Sequence, residues 1–141
     1  MSAGPPPPAA AKHLERVMDA TAREFYRRLH EDGELATTRC AACERATFPP
    51  RPRCPRCGGE TTWMPLPRTG TLEAFTTQET ALRFAAPAVL ALARMDDVVV
   101  PGIAESGYEE LRIGDEVAVE LREQPELGMT LVHYRSTGRS P

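Results

Sequence analysis

Histidine is scarce in this chain, three residues in 141, and aromatic residues make up only 6%. Both shortages exclude something. His13, His30 and His133 stand apart without a carboxylate motif, and no Ser-His-Asp order, phosphate-binding loop or dinucleotide fingerprint occurs. Catalysis within the chain therefore has no visible machinery, and a lone His133 on a strand reads as structural before it reads as a base. Long apolar runs are also missing, so no segment suits a bilayer span. The amino terminus lacks the charged-then-apolar pattern of a secretory signal. A soluble, cytoplasmic protein is expected.

Cysteine is limited to four residues, and all of them fall into two Cys-x-x-Cys pairs, Cys40-Ala-Ala-Cys43 and Cys54-Pro-Arg-Cys57. Each pair sets two thiolates on one tight knuckle. Two knuckles face to face offer the tetrahedral sulfur cage that zinc prefers. The separation suits a short hairpin, bent by Pro49-Pro50-Arg51-Pro52, and Gly58-Gly59 tolerates the positive φ needed where amides curl round a bound sulfur. A disulfide reading lacks the secretory signal, and a redox reading lacks a βαβ context. Cys40, Cys43, Cys54 and Cys57 are thus the metal ligands expected. Four thiolates leave no open position for water or substrate, so the zinc is structural, contributing on the order of 10 kcal/mol to folding of its segment. The cage carries a formal charge of about −2. Compensation of that charge explains Arg39, Arg45, Arg53 and Arg56 more simply than phosphate binding does.

Charge divides the chain. Residues 1–69 carry 11 basic and 8 acidic side chains, whereas residues 70–141 carry 6 and 12. The organisation expected is a disordered proline-rich tail over 1–11, an amphipathic helical segment over 12–34, a zinc ribbon over 35–69, a barrel over 70–136 and a short tail over 137–141. Leu14, Val17, Met18, Phe25 and Leu29 recur at helical intervals as one apolar stripe, which Gly33 ends. Beyond Trp63-Met64-Pro65-Leu66-Pro67 the pattern changes to short strands at Thr71–Thr77, Ala88–Met95, Val98–Ala104, Val117–Arg122 and Thr130–Arg135. Asp96-Asp97 makes the second and third a hairpin. Tyr108 to Leu111 reads as a helical turn, and Ile113 to Glu116 as a tight turn. Five strands with a helical piece between the third and fourth fit an OB-type barrel, with Pro101 on an edge or bulge. The fold class expected is mainly β with an N-terminal helix, a zinc ribbon and a five-stranded OB-fold.

A ribbon followed by an OB barrel first suggests nucleic-acid binding. The second and third strands, however, offer no aromatic residue and a single arginine for stacking or phosphate contact, and this half is acidic. Nucleic acid is therefore not the expected partner. The second strand is apolar on both faces, Val89, Ala91 and Ala93 on one and Ala88, Leu90 and Leu92 on the other. A small barrel normally keeps one face wet, so the helix, the ribbon or another chain should cover the outer one. The loop Gln78–Ala86 is the place for an exposed aromatic anchor, Phe84. Tyr134 is a second candidate for partner binding, with a core role equally open.

These features together resemble the acyl-CoA-associated proteins in which a rubredoxin-like zinc ribbon precedes an OB-fold, a family long catalogued as a domain of unknown function. The resemblance runs over residues 21–135. It rests on Phe25-Tyr26 where the family ends a helix with a Phe-Trp-like pair, Leu35, both knuckles, Phe48-Pro-Pro-Arg51, Gly58, Trp63, Gly70 and Ile113-Gly-x-x-Val117. Tyr26 replaces the usual tryptophan, and Glu44 stands where a glycine often follows the first knuckle. Such proteins accompany thiolase-superfamily enzymes, including lipid-transfer-type thiolases and aldolases of steroid side-chain breakdown, or hot-dog-fold hydratases. The resemblance implies a non-catalytic accessory subunit that stabilises such an enzyme and helps wall an acyl-CoA channel. As a scaffold the chain would bind the partner through Phe25, Tyr26 and Phe84; in the alternative version, in which it contacts CoA itself, Arg51 and Arg53 would do so.

Overall fold

The computed structural model describes residues 18–78 and 88–138. Asp19 caps the first element by accepting the Ala22 N–H at 2.7 Å, which satisfies one of the donors that a helix start leaves open. Helix α1, Ala20–Arg27, runs on into a π-helical turn, Arg28–Asp32, and ends at Gly33. Phe25 and Leu29 point inward as the periodicity requires, while Leu14 and Val17 lie outside the described residues. On the other side, Arg27 bridges Glu24, Glu31 and Asp32. Arg28 pairs with Glu24 and Glu34 and lies 4.8 Å above the Trp63 ring, fastening the helix to the next unit.

That unit is a three-stranded antiparallel sheet with β1, Ala36–Cys40, between β2, Ala46–Thr47, and β3, Thr61–Pro65. Phe25 packs edge-on against Phe48 and Tyr26, at 5.5 and 5.0 Å between centroids, so helix and ribbon share apolar cover. The same buried cluster continues through Leu35 and Leu66 into the barrel. Backbone follows side chain there: Leu66 N–H donates to Leu35 O at 2.8 Å, and the Arg68 guanidinium reaches Gly33 O at 3.1 Å.

The remaining strands are β4, Thr69–Gln78, β5, Ala88–Met95, β6, Val98–Ala104, β7, Glu116–Gln124, and β8, Met129–Gly138. They close in the order β4-β5-β6-β8-β7, with the helical turn Tyr108–Glu110 between β6 and β7. All five lie where the alternation placed them, with β4, β7 and β8 extended at their ends. Leu72, Ala91, Ala93, Met95, Val100, Val117, Val119 and Val132 alternate inward and fill the barrel.

The closure is uneven. Strands β6 and β8 pair in parallel only at Ile103↔His133 and Ala104↔Tyr134, which leaves the start of β6 as an edge. Pro101 lies on that edge, where its missing N–H removes no ladder bond toward β8. Tyr134 bridges the gap instead: its hydroxyl donates to Val100 O at 2.7 Å. Its ring lies over Gly102, where an added Cβ would fall 2.6 Å from the ring. Burial pushes the Tyr134 phenol up. At 1% exposure Tyr134 takes the core role, the one of its two open readings that the burial favours.

Two other expectations meet the structure here. Neither α1 nor the ribbon covers the outer face of β5, since Leu90 and Leu92 remain 36% and 41% exposed. Phe84 belongs to 79–87, outside the described residues.

The β5–β6 turn also joins barrel to ribbon. Asp97 accepts the Ala46 N–H at 2.9 Å and faces Arg39 at 3.6 Å. That N–H, then the Asp97 backbone and the positive charges of Arg39 and Arg56, hold the Asp97 carboxyl below its ordinary value. Its stabilisation is complete above the unfolded carboxylate pKa and fades as pH falls through the lower folded value. Asp97→Asn should therefore reduce stability at neutral pH by about 1 kcal/mol, the group being half in water. Thermal unfolding should show this deficit shrinking toward zero in acid. An equal deficit at every pH would contradict the tether.

Candidate metal centre

The two knuckles repeat one backbone design. In the first, Cys40 N–H donates to Arg45 O at 3.0 Å and Glu44 N–H to Cys40 O at 3.0 Å; in the second, Cys54 N–H donates to Gly59 O at 2.9 Å and Gly58 N–H to Cys54 O at 2.8 Å. Each therefore turns through a residue of positive φ, Glu44 at 63° and Gly58 at 75°. Only glycine is at ease there, so Glu44 carries strain that its counterpart avoids. The Arg39 guanidinium donates to Glu44 O and holds the strained turn in place. Ala41 N–H donates to Glu60 O at 2.9 Å and ties one knuckle to the other.

The sulfurs converge as a result. All four Sγ atoms lie within 4.8 Å of one another, with Cys40 to Cys57 at 3.4 Å and Cys43 to Cys54 at 3.7 Å. A zinc–sulfur bond of about 2.3 Å in a tetrahedron requires an edge of about 3.8 Å, so the donor set fits that ion. The backbone N–H groups of Cys43 and then Ala42 lower the Cys40 thiol to about 6. Those of Cys57 and Arg56 lower Cys54. At Cys57 the Gly59 N–H lowers the pKa, but the sulfurs of Cys40 and Cys54 outweigh it and push the thiol up to about 11. The fold thus prepares thiolates in both knuckles, and a cation is what allows the whole set to ionise together. Gly59 leaves the space required, because a Cβ there would stand 3.1 Å from Cys40 Sγ. These four cysteines form a structural zinc site. Their sulfurs complete the coordination, so the metal holds a shape and offers substrate no place.

The ribbon arginines divide into two groups. Arg39 faces Asp97, and Arg56 donates to Ala46 O at 3.2 Å. Arg51 and Arg53 are exposed, and among the described residues neither guanidinium has a partner. The Arg51 backbone is nevertheless fixed, its N–H on Thr38 Oγ1 at 2.9 Å and its carbonyl accepting from Thr61 at 2.8 Å. Of the aromatic residues expected to bind a partner, Phe25 is 5% exposed and packs within the chain's own core cluster. Tyr26 is half-buried at its side, and burial raises its phenol pKa.

Sequence reasoning passed over one arrangement. His133 Nδ1 lies 2.9 Å from Glu105 Oε1, which also receives Arg122 Nε at 2.6 Å. Glu120 then accepts from Arg122 at 2.8 Å and from Arg135 at 2.7 Å. His133 is 9% exposed and its buried Nε2 has no partner among the described residues, so it is no accessible base. The parallel β6–β8 register brings Glu105 to His133, the antiparallel β7–β8 ladder adds Glu120, Arg122 and Arg135, and no local spacing announces the first.

Among the described residues no helix is long and apolar enough to cross a membrane. Residues 31–62 match the family described as "ChsH2, rubredoxin-like zinc ribbon domain", and residues 63–122 match "ChsH2, C-terminal OB-fold domain". No curated protein matches. Among solved structures, the chain is similar to one titled "Ltp2-ChsH2(DUF35) aldolase", at 23% identity and a TM-score of 0.73, over 85% of this chain and 97% of that one. It is also similar to a Sulfolobus solfataricus protein of unknown function from the DUF35 family, at 16% identity and a TM-score of 0.63, over 89% and 92% of the two chains.

Substitutions in the knuckles should move metal retention in opposite directions. Glu44→Gly relieves the positive φ and should slow zinc transfer to a chromogenic chelator severalfold. Gly59→Ala presses on the Cys40 sulfur and should speed it. The same rate in both variants would reject the cage geometry.

Proposed function

The chain belongs to the ChsH2 family, matching its zinc ribbon and its OB-fold in order over residues 31–122, and from that membership we propose that it is a non-catalytic accessory subunit of a thiolase-superfamily enzyme. The observation that carries this reading is the shared ribbon-and-barrel architecture, since a solved structure titled as an aldolase contains a chain of this fold almost entirely covered by this one. The site chemistry supports it from the other side. Zinc held by four thiolates is closed, His30 is engaged with Thr130 Oγ1 at 2.8 Å, and His133 hides its free nitrogen.

The enzyme subunit then supplies carbon–carbon bond chemistry, as a retro-aldolase or a lipid-transfer-type thiolase acting on an acyl-CoA of the kind met in steroid or lipid side-chain breakdown. This chain props the enzyme's fold and helps wall the acyl-CoA channel. Arg51 and Arg53 suit the phosphates of CoA, being exposed cations on a backbone anchored by Thr38 and Thr61, while Arg39 and Arg56 are occupied within the protein. Tyr26 remains as a partner contact at the edge of the aromatic cluster.

Co-expression with the thiolase-superfamily enzymes of its own host should yield a stable complex on size exclusion, and withdrawal of zinc should dissociate it. A chain that elutes alone from every such enzyme would overturn the accessory role. Within the complex, Arg51→Glu and Arg53→Glu together should raise the KM for the thioester at least about tenfold, leaving kcat and assembly intact. Unchanged kinetics would remove the arginines from the CoA site.

A further inference from the structure

The first knuckle is the turn of a hairpin, with Arg39 immediately before Cys40 on β1 and Ala46 immediately after Arg45 on β2, and these two residues face each other in register. The barrel reaches both with one side chain. Asp97 Oδ2 accepts the Ala46 N–H at 2.9 Å, and its Oδ1 faces the Arg39 guanidinium at 3.6 Å. Arg39 turns its other nitrogens into the ribbon: Nε donates to Met64 Sδ at 2.7 Å and Nη1 to Glu44 O, the carbonyl of the residue held at positive φ. Ala46 carries the contact on to the second knuckle, because its carbonyl accepts at 3.2 Å from Arg56, which lies between Cys54 and Cys57. Asp97 itself has little room to drift. It sits in the tight turn between Met95 and Val98, which are 1% and 5% exposed and belong to the core cluster.

Strain in the first knuckle gives this arrangement its purpose. A residue other than glycine at a φ of 63° relaxes unless its surroundings hold it, and relaxation of Glu44 would withdraw its N–H from Cys40 O and turn the knuckle away from the cage. The second knuckle turns through Gly58 and carries no such strain. A guanidinium one third exposed restrains a carbonyl weakly while it can swing into water, and a carboxylate opposite it removes that alternative. We infer that Asp97, a barrel residue, is a positioning residue for the zinc site: through Arg39 and Ala46 it holds the first knuckle in the metal-binding conformation, so the ribbon's grip on zinc depends on the barrel docked against it. Groups that orient metal ligands from outside the ligand shell change metal affinity by about 10–100-fold when removed. Asp97 acts in the same way at one remove, on the backbone that aims Cys40 and Cys43.

The test is zinc transfer from the full, metal-loaded chain to a chromogenic chelator at neutral pH. Asp97→Asn keeps an oxygen for the Ala46 N–H and removes the charge that faces Arg39; it should speed transfer about tenfold. Placed in the Glu44→Gly chain, where the turn is free of strain, the same substitution should speed transfer no more than about twofold. Val132→Ala, a cavity on β8 that leaves Asp97 and Arg39 untouched, should lower thermal stability at least as much and leave transfer unchanged. An Asp97→Asn chain that releases zinc at the parent rate would overturn the inference. So would a full effect of Asp97→Asn in the Glu44→Gly chain, because the carboxylate would then act elsewhere than on the strained turn. Equal acceleration by Val132→Ala would show that release follows overall stability, and it too would overturn the role of Asp97.

Discussion

Four sulfur atoms gathered within 4.8 Å of one another are the constraint on which the amino-terminal half depends. The segment between Cys40 and Cys57 has short strands and few apolar side chains, too little to fold on burial alone. Metal ligation replaces the core that it lacks. The backbone of both knuckles is committed to this purpose: amides lean toward sulfur, a positive φ returns each strand, and a glycine clears the space at the centre. What the cage holds in register is more than itself. It sets Thr38 opposite both Thr47 and Trp63, and through Trp63 it sets the helix.

The barrel needs no metal, yet it is not independent. One buried cluster runs from Phe25 and Leu29 through Leu35 and Leu66 to the barrel interior. Asp97 adds a polar link at the far end, joining the tip of a barrel hairpin to the ribbon backbone. Helix, ribbon and barrel are thus coupled by hydrophobic burial and by polar links that include His30 to Thr130, Arg68 to Gly33 and Asp97 to Ala46. A chain built this way holds its three units in one fixed arrangement.

Much of this was legible from the chain. The metal site followed from spacing, since Cys-x-x-Cys is a local geometry that survives any tertiary context. The barrel strands followed from alternation, and Pro101 was correctly restricted to an edge. What escaped was long-range. Tyr134 was open to either a partner or a core role, and Phe25 was tied to a partner through the family resemblance; in the structure an open seam takes the Tyr134 ring and the helix takes a contact between Phe25 and Phe48. The pairing of His133 with Glu105 depends on a parallel contact between strands distant in sequence, which alternation cannot reveal. The second apolar face of β5 was visible in the sequence; that it would stay uncovered by the helix and the ribbon was not.

Tyr134 bears a wider consequence. A barrel closed by a backbone ladder has its girth fixed by strand number and register, neither of which one substitution can change. Here part of the circumference is spanned by a phenol reaching one carbonyl over a glycine. The tyrosine and the glycine are therefore bound to each other: any side chain at position 102 would meet the ring, and the carbonyl of Val100 would lose its donor if the ring withdrew.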